Sequence, residues 1–384
     1  MILPDLLANE SRRRHEFPVC EHKTFLAHAA VSPLPRCVAA AMQEYLTTAT
    51  HDHQEAGAIA QVAAETRRLT AELIGARPAE IAFTGSTSMG LAMVATGLPW
   101  QPGDNVVCYR DDYPANVYPW MDLATRGVEI RFVEPTVAGN ITVADIARTL
   151  NDRTRLVALA SAHFVTGWRL DVDAIGKFLH ERGILFCLDG IQTIGALRTD
   201  MQHVDFAAAD AHKWLLGPLG TAILFVRQEH FDRLRPALVG WNSAACPGFI
   251  AQDTLRFWPD ARRYEPGSLN IVGLVGLHAA LKMIQEAGID LIEQRVLALA
   301  ARVRNGIGQK EWEVLGPGVA AESGFSAIVS FTKPGTDLSA LHANLTTDGI
   351  SISLRQRRDG AKCLRASPHF YNTEAEVDTL LQRL

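Results

Sequence analysis

"CLDGIQTIGALRTDMQHVDFAAADAHKWLLGPLGTAILFVR", Cys187 to Arg227, holds the two charged residues from which the rest of the chain can be read. Asp189 closes the apolar run ILFCLDG (Ile184 to Gly190), and Lys213 stands beside Trp214, Leu215 and Leu216. A short, nearly continuous apolar run reads as a strand covered on both faces. An acid at the carboxyl end of such a strand lies where open α/β sheets bind ligands, although a turn or N-cap aspartate looks the same in sequence. A buried carboxylate is costly unless paired, which implies a cationic partner. A lysine in apolar company either snorkels from a strand end or is a desolvated amine of lowered pKa, able to attack aldehydes.

Outward from this stretch the chain alternates strands and helices. NVVCYR (Asn105 to Arg110), EIRFVEP (Glu129 to Pro135), RLVALASA (Arg155 to Ala162), ILFCLDG and TAILFVR (Thr221 to Arg227) read as strands. The runs EIRFVEP, RLVALASA and ILFCLDG are apolar enough to suggest burial on both faces. Between them lie the helical patterns VADIARTLND and DVDAIGKFLHERG, the second ending on Gly183. Such alternation predicts a mostly parallel sheet wrapped by helices. From Ser268 the pattern changes to two long helices, a strand pair (AIVSFTK and GISISLR) and a last helix in which Thr373 and Glu376 fit a capping box. The expected architecture is α/β, with a large domain over 21–258, a smaller C-terminal α+β domain over 259–384, and an N-terminal arm over 1–20 packing on the small domain.

Composition narrows the function classes. A net charge of -5 gives no electrostatic reason to expect nucleic-acid binding, Arg355-Gln356-Arg357-Arg358 being the one dense basic cluster. The six cysteines show no CxxC or zinc-type spacing, so no metal site is expected and they read as free thiols of a reducing compartment. The N-terminus MILPDLLANESRRRHEF places its charge after its apolar stretch, opposite to a secretory signal, and no apolar run reaches membrane-spanning length. The expectation is a cytoplasmic protein without membrane or nucleic-acid partners.

A third element joins Asp189 and Lys213. In FTGSTSMGL (Phe83 to Leu91), Thr87 and Ser88 stand at a helix start, where backbone N–H groups and hydroxyls can cradle a phosphate or serve as a plain N-cap. A lysine nucleophile, an acid for a pyridinium nitrogen and a phosphate cradle together describe binding of pyridoxal phosphate.

The quoted stretch resembles the signature of class V aminotransferases, which include cysteine desulfurases, selenocysteine lyases, isopenicillin N epimerase and kynureninase. FLAHAAVSPLP (Phe25 to Pro35) and LRASPHFYNTEAEVDTLL (Leu364 to Leu381) extend the resemblance over nearly the whole chain. It implies pyridoxal 5'-phosphate as cofactor and a fold-type-I homodimer with shared active sites. Carried over residue by residue, it makes Lys213 the lysine that holds the cofactor aldehyde and Asp189 the partner of the pyridine nitrogen. It makes Gln192 the donor to the cofactor's phenolic oxygen, with Thr87, Ser88 and His212 on the phosphate and Ser268 reaching the other subunit's phosphate. Tyr113, in DDYPAN, takes the slot of the ring that stacks on the cofactor. Arg365 matches the arginine that grips a substrate α-carboxylate, for which its planar fork is suited. Arg355 is a second anion-binding candidate.

Two departures bear on the reaction. Desulfurases carry a sulfur-accepting cysteine on a mobile loop, expected here between Arg355 and Arg365, where the chain reads RQRRDGAKCL. Cys363 falls inside the apparent strand, on the same face as Arg365 by alternation, and reads as a core cysteine. In SAHFVTGW, Phe164 stands where the family often has a polar residue, with His163 beside it as a substitute or a structural residue. The resulting expectation is a lyase acting on a small amino acid by β-elimination or C–S cleavage. A class V aminotransferase or epimerase is the alternative, and a cofactor-free binding protein a remote one.

Overall fold

The computed structural model describes residues 3–55, 59–318, 321 and 323–384. After a two-residue strand, β1 (Thr24–Phe25), seven strands form the large sheet. They are β2 (Ile81–Thr84), β3 (Asn105–Tyr109), β4 (Glu129–Val133), β5 (Thr154–Ala160), β6 (Leu185–Asp189), β7 (Phe206–Asp210) and β8 (Ala222–Val226). Their order is β2-β8-β7-β6-β5-β3-β4, and β8 alone runs against its neighbours. The mostly parallel sheet expected from the strand–helix alternation is present.

Three strands of the large sheet differ from the sequence reading, Ile81–Thr84 being one that it did not name as a strand. EIRFVEP forms the sheet edge, with Glu129 exposed and Ile130 to Phe132 half-buried, so it is not covered on both faces. Phe206–Asp210, FAAAD, is a fully buried central strand that alanine's weak strand preference concealed. Its small side chains serve packing. The helix Thr87–Gly97 lies close on β7, and a Cβ at Gly90 would come within 2.8 Å of Ala208 Cβ. That close approach carries the helix start to the end of β7.

A second sheet collects β9 (Glu313–Val314), β10 (Val329–Thr332), β12 (Ser353–Gln356) and β13 (Lys362–Ala366) in the antiparallel order β12-β13-β10-β9, while β11 (Ile350–Ser351) pairs in parallel with β1. The two long helices are Ile271–Ala287 and Ile289–Gly308, and the first packs on Arg36–Thr48 and Ile59–Ile74. The closing helix Glu374–Gln382 has its capping box, Thr373 N–H donating to Glu376 Oε2 at 2.7 Å and Glu376 N–H to Thr373 Oγ1 at 3.3 Å. Near the N-terminus, Phe17 stacks on Tyr371 with ring centroids 4.0 Å apart, and Arg13 donates to the Tyr371 carbonyl at 3.2 Å. No helix among the described residues is long and apolar enough to cross a membrane.

Candidate active site

The candidate residues gather because the parallel strands all end at one edge of the sheet. Asp189 ends β6, Asp210 ends β7 with His212 and Lys213 just beyond, and Tyr113 follows β3. Phe164 follows β5, and Thr87 follows β2. Loops at the carboxyl ends of such strands form the crevice in which these folds bind ligands.

Lys213 is held by its backbone. Its carbonyl accepts from Ser32 Oγ at 2.7 Å and from Leu216 N–H at 3.1 Å, and Ser32 N–H donates to the His212 carbonyl at 2.8 Å. Leu216 takes a left-handed φ of +55°, which turns the chain back sharply. Lys213 is 8% exposed, and its Nζ lies 5.5 Å from the centre of the Tyr113 ring. Burial lowers the Lys213 pKa, Asp189 opposes the shift and Arg365 adds to it, leaving the amine at about 8. Lys213 is a desolvated amine, not a snorkelling surface charge.

Asp189 is buried, and its Oδ1 accepts from Ile191 N–H at 3.1 Å. Burial pushes the carboxyl up to about 6, against that hydrogen bond and the charge of Lys213. Gln192 Oε1 accepts from Trp214 Nε1 at 3.0 Å, and its Nε2 donates to the Ala29 carbonyl at 3.3 Å, leaving the second amide hydrogen for another acceptor. Ser88 is exposed at the second residue of its helix, and His212 lies with Nδ1 3.6 Å from Asp210 Oδ1 and without a hydrogen-bond partner. Thr87 is buried, and its N–H and hydroxyl both donate to Asp210 Oδ2 at 2.8 Å. Ser268 stands apart from Lys213, exposed on a cleft shared with Thr84, Gly85 and Met89.

Arg365 lies fully buried on β13, opposite Ser353 on β12 and Ser330 on β10. It donates to the Phe164 carbonyl at 2.5 Å, so the backbone of this residue, rather than its side chain, supplies the polar contact. Arg355 sits on the same sheet face, diagonal to Arg365. The Nε of each guanidinium is buried without a hydrogen-bond partner, and burial together with the charge of Arg355 brings Arg365 down to about 9. Cys363 faces Arg355 across the strands and is 0% exposed, its thiol pushed up by burial. His163 is structural: Nδ1 accepts from Thr166 N–H at 3.1 Å, which leaves Nε2 to donate to the Asp111 carbonyl at 3.0 Å. Both ring nitrogens are thereby used.

Several site residues gave no signal in the sequence. Asp112, next to Tyr113, is buried with Oδ2 accepting from Ala160 N–H and from Asn116 Nδ2, each at 3.1 Å. Burial and the neighbouring Asp189 charge raise it to about 7. His28 and His369 brace the C-terminal motif, His28 bonding the Ser367 carbonyl at 2.9 Å and His369 the Trp214 carbonyl at 3.0 Å. Asp210 ends a strand that the sequence reading did not name, so it gave no signal either.

These features fit pyridoxal phosphate. An amine titrating near neutrality suits the aldehyde, and a buried carboxyl bonded only to one backbone N–H suits a protonated ring nitrogen. Gln192 has a donor left for the phenolic oxygen.

The family model for class V aminotransferases matches residues 24–380. A probable cysteine desulfurase of Pyrococcus abyssi is 30% identical, the match covering 96% of this chain and 95% of the relative. Two solved structures of C-DES are each 26% identical and cover 96% of this chain and 98% of theirs. One is a mutant with glycine covalently linked to the PLP cofactor (TM-score 0.87). The other is the complex of this cystine C–S lyase with its reaction product cysteine persulfide (TM-score 0.86). With its mostly parallel sheet of fold type I, the chain belongs to the class V aminotransferase family.

Proposed function

We propose that the protein is a pyridoxal-phosphate-dependent lyase that cleaves a C–S bond of a small sulfur-containing amino acid by β-elimination. The observation that carries this reading is Cys363, fully buried on β13 beside two arginines. A buried thiol on a strand cannot travel to collect sulfur, whereas an eliminating lyase releases the sulfur on its product. In place of a mobile loop, Arg357 N–H donates to the Ala361 carbonyl at 2.8 Å and closes a tight hairpin between β12 and β13.

When bound, pyridoxal phosphate supplies the electron sink that lets the α-proton and then the β-substituent leave. The chain's own residues do the rest. Arg365 binds the α-carboxylate bidentately, fixed by the Phe164 carbonyl and by Ser353 Oγ at 3.4 Å. Arg355, diagonal to it, is the candidate to bind a second anionic group of the substrate. Lys213 Nζ would hold the cofactor aldehyde and, as a free amine, would take the α-proton, a task to which a pKa of about 8 is matched. Asp189 keeps a negative charge at the ring nitrogen, Gln192 donates to the phenolic oxygen, and Tyr113 provides a stacking face.

Ser268 is placed by this reading against a second copy of the chain. Support comes from the exposure of large apolar side chains, Leu219 at 64% beside the cleft residue Gly220 and Phe249 at 81% against Trp241. The working form is then a homodimer, and the thiols suit the cytoplasm. The division of the chain at 258/259 belongs to the same reading.

The test is incubation of the purified protein with cysteine, cystine and their homologues, following keto acid, ammonia and sulfur species. Keto acid with ammonia and persulfide or sulfide is expected, and Cys363→Ser is expected to keep the activity. Pyridoxamine phosphate formed in amounts equal to the enzyme, and recycled by a keto acid, would identify an aminotransferase. Activity lost in a folded Cys363→Ser protein would make that cysteine the sulfur carrier.

A further inference from the structure

Asp210 occupies donors expected to serve the cofactor phosphate. Its Oδ2 accepts from both the N–H and the hydroxyl of Thr87 at 2.8 Å, and its own N–H donates back to Thr87 Oγ1 at 2.9 Å. A threonine hydroxyl has one proton, and a phosphate dianion accepts but cannot donate. Thr87 therefore has no hydrogen left to offer in this arrangement. Of the other early N–H groups in the helix Thr87–Gly97, that of Met89 goes to Ser86 Oγ at 3.2 Å and that of Gly90 to the Ser86 carbonyl at 3.1 Å. The N–H and hydroxyl of Ser88 remain, together with the His212 ring. Burial alone would raise the Asp210 pKa, but the His212 ring 3.6 Å away and the hydrogen bonds from Thr87 outweigh it and hold the carboxyl below its ordinary value. Asp210 is thus an anion at the positive end of a helix, the place a phosphate would take.

We propose that Asp210 is a positioning residue that loosens the protein's hold on the cofactor phosphate, withdrawing Thr87 from the cradle, adding a like charge beside it, and leaving Ser88 and His212 as the grip. This rests on the pyridoxal phosphate reading. It shifts cofactor retention from the phosphate end to Lys213 and Asp189.

The test compares the cofactor-free wild type with Asp210→Asn, Asp210→Ser and Ser88→Ala, titrating orthophosphate by calorimetry and pyridoxal phosphate by its visible absorbance. Asp210→Asn keeps an oxygen for Thr87 but removes the charge. It is expected to bind both probes about tenfold more tightly, the effect of one like charge on a neighbouring anion. Asp210→Ser also releases the Thr87 donors and is expected to bind more tightly still. Ser88→Ala is expected to bind both probes about tenfold more weakly, the cost of one charge-assisted hydrogen bond. Unchanged or weaker binding of both probes in folded Asp210→Asn and Asp210→Ser proteins overturns the role of Asp210, and unchanged binding in Ser88→Ala overturns the assignment of the grip. If orthophosphate follows the expected order while no variant forms a coloured complex, the cofactor reading fails and the role of Asp210 at an anion site stands.

Discussion

Replacing Asp189 by asparagine is expected to stabilise the cofactor-free protein. The carboxyl is buried at the end of β6 and titrates at about 6 instead of the ordinary 3.8. Its folded-state pKa is raised, so its charged form is disfavoured in the native protein and its neutral form is not. Below the ordinary value both folded and unfolded carboxyls are protonated and the group costs nothing. Between 3.8 and about 6 the cost grows, and above about 6 it is constant. At about 1.4 kcal/mol per pH unit, the full cost is about 3 kcal/mol at neutral pH. Asparagine keeps the shape and an oxygen for the Ile191 N–H but carries no charge. Urea denaturation of the two cofactor-free proteins over a range of pH is the assay. The midpoints are expected to coincide in acid and to separate toward neutrality, with the variant the more stable. Saturation with pyridoxal phosphate is expected to reverse the order, because the ring nitrogen then gives the wild-type carboxylate its cation. A variant equally or less stable at neutral pH without cofactor would refute the argument that Asp189 is held as a costly charge for a ligand.

Two further outcomes follow from the electrostatics. The rate at which the cofactor-free protein takes up pyridoxal phosphate covalently is expected to rise with pH to a midpoint of about 8, where Lys213 loses its proton, and stopped-flow absorbance reads this directly. A midpoint near that of an exposed lysine would contradict the desolvated amine. Arg365→Lys is expected to raise KM about 10- to 100-fold with a smaller change in kcat, since a lysine cannot make the bidentate carboxylate contact. Steady-state kinetics checks it, and an unchanged KM would remove Arg365 from the substrate site.

The alternation of apolar runs and helical patterns determined the parallel sheet, because strands buried on both faces leave long apolar stretches in the sequence. Asp189 and Lys213 stood out as candidates because charged groups are rare in such apolar stretches, while Gln192 and Arg365 were suggested only by the resemblance to the family's motifs. The edge position of Glu129–Val133 and the central position of Phe206–Asp210 were not, since a strand's place depends on its neighbours and alanine is ambiguous locally. The pairing of Asp210 with Thr87 joins residues 123 positions apart. It arises because Gly90 lets a helix settle on the alanines of β7. The burial of Cys363 likewise depends on β10, β12 and β13 meeting as a sheet. Sequence by itself proposed some of the groups that could do chemistry here and missed Asp112 and Asp210. Only the tertiary structure decided which were already engaged with the protein, because hydrogen-bond satisfaction and desolvation depend on distance in space and not on spacing along the chain.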